Sequence, residues 1–180
     1  MITLIDQALL DELCAAAAAS PRRRKNRNFH ARDDQPGHRL LNAMQPDSYI
    51  PPHRHLDPNK DETFVVLRGL LGLLVFDDAG AVVRSVRVGA AALCVAGNPL
   101  ARREAESRVC RDRGQAAALG VDIPHGTWHT AVALVPDTVF LEAKAGPYLP
   151  LIEAERASWA PAENTPAAAS YLAALKARIS

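Results

Sequence analysis

From residue 40 onward the chain consists of short runs rich in Val, Leu, Ile, Phe and Thr, broken by Gly, Pro, Asp and Asn at intervals of about ten residues. Helices of ordinary length do not fit between breaks this frequent, whereas strands do, and the pattern specifies an all-β sandwich or barrel. Strands are expected over 39–45, 48–54, 61–68, 70–76, 82–88, 119–123, 127–134 and 138–145. Asp77-Asp78-Ala79-Gly80 reads as a hairpin turn in which Gly80 supplies a positive φ, and Pro136-Asp137 reads as a second tight turn.

The two ends have a different texture. Residues 3–19 place Ile5, Leu9, Leu13 and Ala16-Ala17 at helical spacing, and Pro21 closes the pattern, so a short amphipathic helix is expected to pack on something larger. Beyond residue 149, Pro150, Pro161 and Pro166 break up a tail that ends in Ala- and Leu-rich helical texture over 166–179. Three parts are therefore expected. Residues 1–38 form an N-terminal helix and basic segment packing on the barrel, 39–148 form the barrel, and 149–180 form a tail with a short helix. A chain of 180 residues buries enough surface to fold without disulfide staples. Cys14, Cys94 and Cys110 are odd in number and scattered, which suits a reducing compartment.

Charge narrows the partners. Lys plus Arg total 21 against 20 for Asp plus Glu, and a net +1 is too balanced for a nucleic-acid binder held by phosphate contacts. The balance is polarised, because residues 21–39 carry seven bases and two acids, a local +5 that leaves −4 on the rest. No apolar run approaches the roughly 18 residues that cross a bilayer, and Asp6, Asp11 and Glu12 interrupt the one stretch that could imitate a secretory signal. A cytoplasmic protein with neither nucleic acid nor membrane as partner is expected. Residues 97–117, where Arg and Glu or Asp alternate, read as a solvated loop or short surface helix.

Four of the six histidines carry the chemistry: His53, His55, His125 and His129. On a strand, His53 and His55 point to one face and their rotamers can converge on one ion. Glu62, at the start of the next strand, can be brought beside them by an antiparallel neighbour, and His129 can reach the group from across a barrel. Strand alternation decides between Glu62 and its neighbour Asp61. Three imidazoles and one carboxylate suit one divalent transition metal ion, with Zn, Fe, Mn, Ni and Cu all admitted by these ligands. Trp128 precedes His129 and so faces the core, as do Tyr49 and Phe64.

Pro51-Pro52-His53-Arg54-His55, six residues, Glu62, six residues and Gly69, followed by Pro124-His125-Gly126-Thr127-Trp128-His129, resemble the two metal motifs of the cupin superfamily. Pro58-Asn59-Lys60, Asn26–His30, Arg39–Ala43 and Glu142–Tyr148 extend the resemblance to the WbuC-type cupin-fold metalloproteins over about residues 3–163. Against the general cupin pattern, Asp47 stands where Gly is usual and Ala133 where Asn is usual. The resemblance implies a jelly-roll β-barrel with a single metal site, held by His53, His55, Glu62 and His129. It also implies an association with surface-polysaccharide (O-antigen) biosynthesis, and hence a sugar or sugar nucleotide as ligand.

Around such a site the basic residues gain roles. Arg27, Arg54 and Lys60 would anchor a phosphate or carboxylate on the ligand, with His30 and His125 contributing to the pocket. Lys144, Glu142 or Tyr148 would move a proton, making the protein an isomerase or epimerase. A non-catalytic carbohydrate-binding or regulatory metalloprotein and a metal-dependent dioxygenase are the alternatives. A homodimer is expected, since an open sheet edge and an apolar helix both call for cover.

Overall fold

The computed structural model describes residues 2–89 and 118–179. The charged segment 97–117 lies outside the described residues, as do Cys94 and Cys110. The chain begins with α1 (Gln7–Ala19), continues through β1 (Arg24–Asn28), β2 (Gly37–Met44), β3 (Glu62–Arg68), β4 (Leu70–Phe76) and β5 (Val82–Gly89), and resumes with β6 (Gly120–Ile123), β7 (Trp128–Ala133) and β8 (Thr138–Ala145). It ends with a 3-10 turn at Glu153–Glu155 and α2 (Pro166–Lys176).

Among the described residues the strands form two antiparallel sheets, ordered β1-β2-β8-β3-β6 and β5-β4-β7. The architecture is an all-β jelly-roll barrel with a helix on either side. Between the sheets lie Met44, Phe64, Val66, Leu71, Leu73, Ile123 and Phe140. The outer face of the larger sheet is covered by α1, where Leu10, Leu13 and Ala17 pack on Leu41, Ala43 and Val139. The outer face of the smaller sheet is covered by α2, where Leu172 and Leu175 share a cluster with Leu74, Phe76 and Val132. β4 is therefore buried on both faces, which is why Leu70-Leu71-Gly72-Leu73-Leu74-Val75-Phe76 is an unbroken apolar run.

Local signals account for the element ends. Asp6 caps α1, its carboxylate accepting from the Leu9 N–H at 3.0 Å, and Pro166 opens α2 at a position where no N–H is needed. Gly80 has φ +86° in the expected hairpin turn. Gly69, with φ +77°, is the single residue that passes the chain from one sheet to the other, and a Cβ there would meet Thr138 Oγ1 at 2.6 Å.

One expectation needs correction. Residues 48–54 do not form a strand; only His53 makes a bridge, to His129 on one side and Arg156 on the other. Pro51 and Pro52 lack the N–H groups a ladder requires. Within the basic segment, Arg24–Asn28 is β1, paired with β2 at the edge of the larger sheet. Among the described residues no helix is long and apolar enough to cross a membrane.

Candidate metal centre

The site forms where the two sheets meet at one end of the barrel. His53 and His129 exchange both backbone hydrogen bonds, at 3.0 and 2.9 Å, so their side chains stand side by side with ring centroids 4.6 Å apart. His55 follows two residues on, its carbonyl accepting from the Gly126 N–H at 2.6 Å. Glu62 comes from the opposite sheet, at the start of β3 between Ile123 and Lys144. The imidazole brought from a distant stretch is thus the backbone neighbour of His53, and the carboxylate is the group that reaches across the barrel.

Each piece is oriented. A carbonyl oxygen can only accept, so His53 Nδ1 donates to the Pro51 carbonyl at 3.1 Å and His129 Nδ1 to the Thr127 carbonyl at 2.9 Å. In the neutral rings this leaves Nε2 as a lone pair. His129 Nε2 lies 3.0 Å from Glu62 Oε2 and His55 Nε2 lies 3.2 Å from Glu62 Oε1. These close approaches lack hydrogen-bond alignment, and His55 Nε2, His129 Nε2 and Glu62 Oε2 are buried without a hydrogen-bond partner. Buried acceptors facing one another require a cation between them, either a proton or a metal ion.

His53, His55 and Glu62 each offer a ligand atom, and these atoms lie within 4.8 Å of one another, a candidate metal-binding triad. Burial and then the neighbouring His129 push the His53 imidazole down to about 3, so the ring is neutral near pH 7. Burial alone would push the Glu62 carboxyl up, but His129, His55 and the Lys144 ammonium hold it well below the usual carboxylate range. Neutral nitrogens and an ionised oxygen are the forms in which these side chains bind a divalent first-row metal, so the residues present fit such an ion.

Behind the triad runs a buried polar chain. Lys144 Nζ donates to Glu62 Oε1 at 2.8 Å and pairs with Glu142 Oε1 at 2.6 Å, while Asn42 Nδ2 donates to Glu142 Oε2 at 2.6 Å. Burial disfavours the Lys144 ammonium, but Glu142 and Glu62 together raise its pKa. Burial pushes the Glu142 carboxyl up against the opposing pull of Lys144.

In front of the triad opens a cavity of about 200 Å³, lined by His53, His55, Lys60, Lys144, His38 and Tyr148 with the apolar Ala145, Pro147, Leu149 and Leu151. Tyr148 sits at its mouth, 57% exposed. The other sequence candidates lie elsewhere. Arg54 stacks on Trp128 at 4.3 Å and pairs with Asp78. Arg27 lines a depression beside α1 with Leu9 and Glu12. The exposed His125 holds Asp61 through Nδ1 at 2.9 Å and its backbone N–H at 2.8 Å, leaving Glu62 as the acid that faces the imidazoles. His30 is buried and stacks on His38 at 3.9 Å without lining the cavity, and His38 is the lining residue that sequence reasoning missed. A larger cavity of about 480 Å³ lies near α2, where Arg22 pairs with Glu163 and Arg23 with Asp47.

A family model described as a domain of unknown function, DUF6016, matches residues 5–88, just under half of the chain. No curated protein matches it. Among solved structures the chain is similar to KdgF from Halomonas sp., at 15% identity and a TM-score of 0.45 over 71% of this chain and 83% of that one. It is also similar to the conserved SPY1581 protein of unknown function from Streptococcus pyogenes, at 13% identity and a TM-score of 0.44, over 72% and 80% of the two chains. A variant of oxalate decarboxylase from Bacillus subtilis matches at 14% identity and a TM-score of 0.45, over 73% of this chain and 27% of that one. KdgF and oxalate decarboxylase are cupin-fold proteins. Strand order and register, rather than likenesses this distant, define the fold here.

Proposed function

We propose that the chain is a metal-binding cupin protein of the WbuC type, acting on a sugar or sugar nucleotide in surface-polysaccharide biosynthesis as an isomerase or epimerase. The observation that carries this reading is the convergence of His53, His55, His129 and Glu62, with orphaned atoms on the last three, beside a cavity that His53 and His55 line. One divalent transition metal, Zn, Fe, Mn or Ni, would be held by these four side chains and would polarise a ligand oxygen as a Lewis acid.

The chain's own residues divide the remaining work. Lys144, kept as an ammonium between Glu142 and Glu62, donates a hydrogen bond or proton rather than accepting one. Glu142 stands behind it and restores the charge balance. Tyr148, Leu149 and Leu151 line the cavity, with Tyr148 at its mouth. The locked state of Lys144 also favours a second reading, a protein that binds carbohydrate and metal without turnover. Incubating metal-loaded protein with candidate sugars and sugar nucleotides in D₂O and following anomeric and ring protons by NMR separates the two. Exchange or interconversion marks catalysis, and line broadening alone marks binding.

A further inference from the structure

Two lysines line the cavity in front of the triad, and their surroundings are opposite. Lys144 touches two carboxylates, at 2.8 and 2.6 Å. Lys60 is 8% exposed, and among the described residues its side chain has no hydrogen-bond or ion-pair partner. Its Nζ is not among the buried unpartnered atoms, so the ammonium opens onto the cavity, where a bound ligand can complete it. Among the described residues no carboxylate lines the cavity to do so. Glu155 and Asp57 feel the Lys60 charge without pairing with it: Glu155 accepts from the N–H groups of Leu56 and Ile152 at 2.8 and 3.1 Å, the exposed Asp57 accepts from Asn59, and Asp61 accepts from His125.

Counting formal charges points the same way. Glu62 and Lys144 cancel, Glu142 contributes −1 and Lys60 +1, so a divalent ion would leave the assembly at about +2. The cavity measures about 200 Å³. That is below the roughly 300 Å³ at which sites for larger organic ligands begin. It holds a single sugar unit or a smaller acid, and the nucleotide part of a sugar nucleotide would lie outside.

We infer that the cavity selects a single sugar unit bearing an oxyanion, a carboxylate or a phosphate, and that Lys60 is the residue that recognises that charge. This rests on the carbohydrate reading above and narrows it to an acidic or phosphorylated sugar.

Calorimetric titration of the cobalt-loaded protein with glucuronate, glucose 1-phosphate, inorganic phosphate and glucose tests it, with cobalt stoichiometry measured separately. A charged probe is expected to bind at least tenfold more tightly than glucose, and whether glucuronate or the phosphates do so identifies the oxyanion. Lys60→Gln should abolish the preference with cobalt stoichiometry unchanged, and Lys60→Arg should restore most of it. Equal affinity for glucose, no binding of any charged probe, or a Lys60→Gln protein that keeps the preference overturns the assignment. If the protein takes up no cobalt, the metal reading fails by itself. The same titrations on the metal-free wild-type and Lys60→Gln proteins then decide the role of Lys60. If Lys60→Gln does not fold, Lys60→Met takes its place, and loss or retention of the preference in that variant decides.

Discussion

Five of the six histidines fall into two groups at one end of the barrel, with His125 at the rim, and the two groups behave differently. His30 and His38 stack in parallel, with rings 3.9 Å apart and 5° between planes, and each ring nitrogen that is engaged meets a backbone carbonyl, Arg39 at 3.2 Å and Asp33 at 3.2 Å. Burial and then His30 lower the His38 pKa, as for a neutral ring packed into a wall. His53, His55 and His129 are tilted or edge-on to one another and share a carboxylate, with buried lone pairs left over. A histidine that leaves no buried ring nitrogen without a partner supports the structure. A group whose buried acceptors converge without donors awaits a cation.

That contrast can be broken by mutation. The largest effect expected is on metal content: His55→Ala and His129→Ala should each take bound metal from about one equivalent to almost none, while His30→Ala leaves it intact, as read by elemental analysis of untagged protein. Equal metal in all three would erase the distinction. Next, Lys144→Met removes the ammonium between two buried carboxylates, and denaturant unfolding of the metal-free protein should show a loss of about 3–5 kcal/mol.

Acidification gives a smaller change with a defined sign. Between about pH 6.5 and about 3 the unfolded chain binds a proton at residue 53 that the folded one does not, so stability falls as pH falls. The depressed Glu62 pKa adds to the loss below its ordinary value of 4.5. Melting curves of the metal-free protein from pH 7 to pH 4 should decline by on the order of a few kcal/mol, and His53→Gln should flatten the upper part of the slope. The smallest effect belongs to the stacked pair. His38→Ala should cost about 1–2 kcal/mol by denaturant titration with metal stoichiometry unchanged.

Much of the fold is visible in the sequence because one face of most strands is apolar and the turns carry Gly, Pro and Asp. β1 escapes that test: Arg-Lys-Asn-Arg-Asn has no apolar alternation, being an edge strand whose pairing depends on the backbone and whose charges discourage further pairing. The two prolines before His53 forbid the strand that the local apolar residues suggest. At the site, alternation places Glu62 and not Asp61 on the inner face, because period-two geometry is local. That Glu62 comes from the opposite sheet while His129 borders His53 is a long-range pairing, which spacing alone does not encode. The isolation of Lys60 is less legible still, since it depends on where each neighbouring acid finds a partner.

The segment after β8 touches the candidate metal centre without supplying a ligand. Arg156 bridges the free side of His53, the Arg54 N–H reaches the Glu155 carbonyl at 3.0 Å, and the Ala157 N–H reaches the Pro52 carbonyl at 3.2 Å. The histidine segment, deprived by its prolines of ordinary sheet support, is thus splinted from outside by the far end of the polypeptide. Binding of an ion by these histidines would therefore be thermodynamically linked to the anchoring of that distal stretch, each tightening the other.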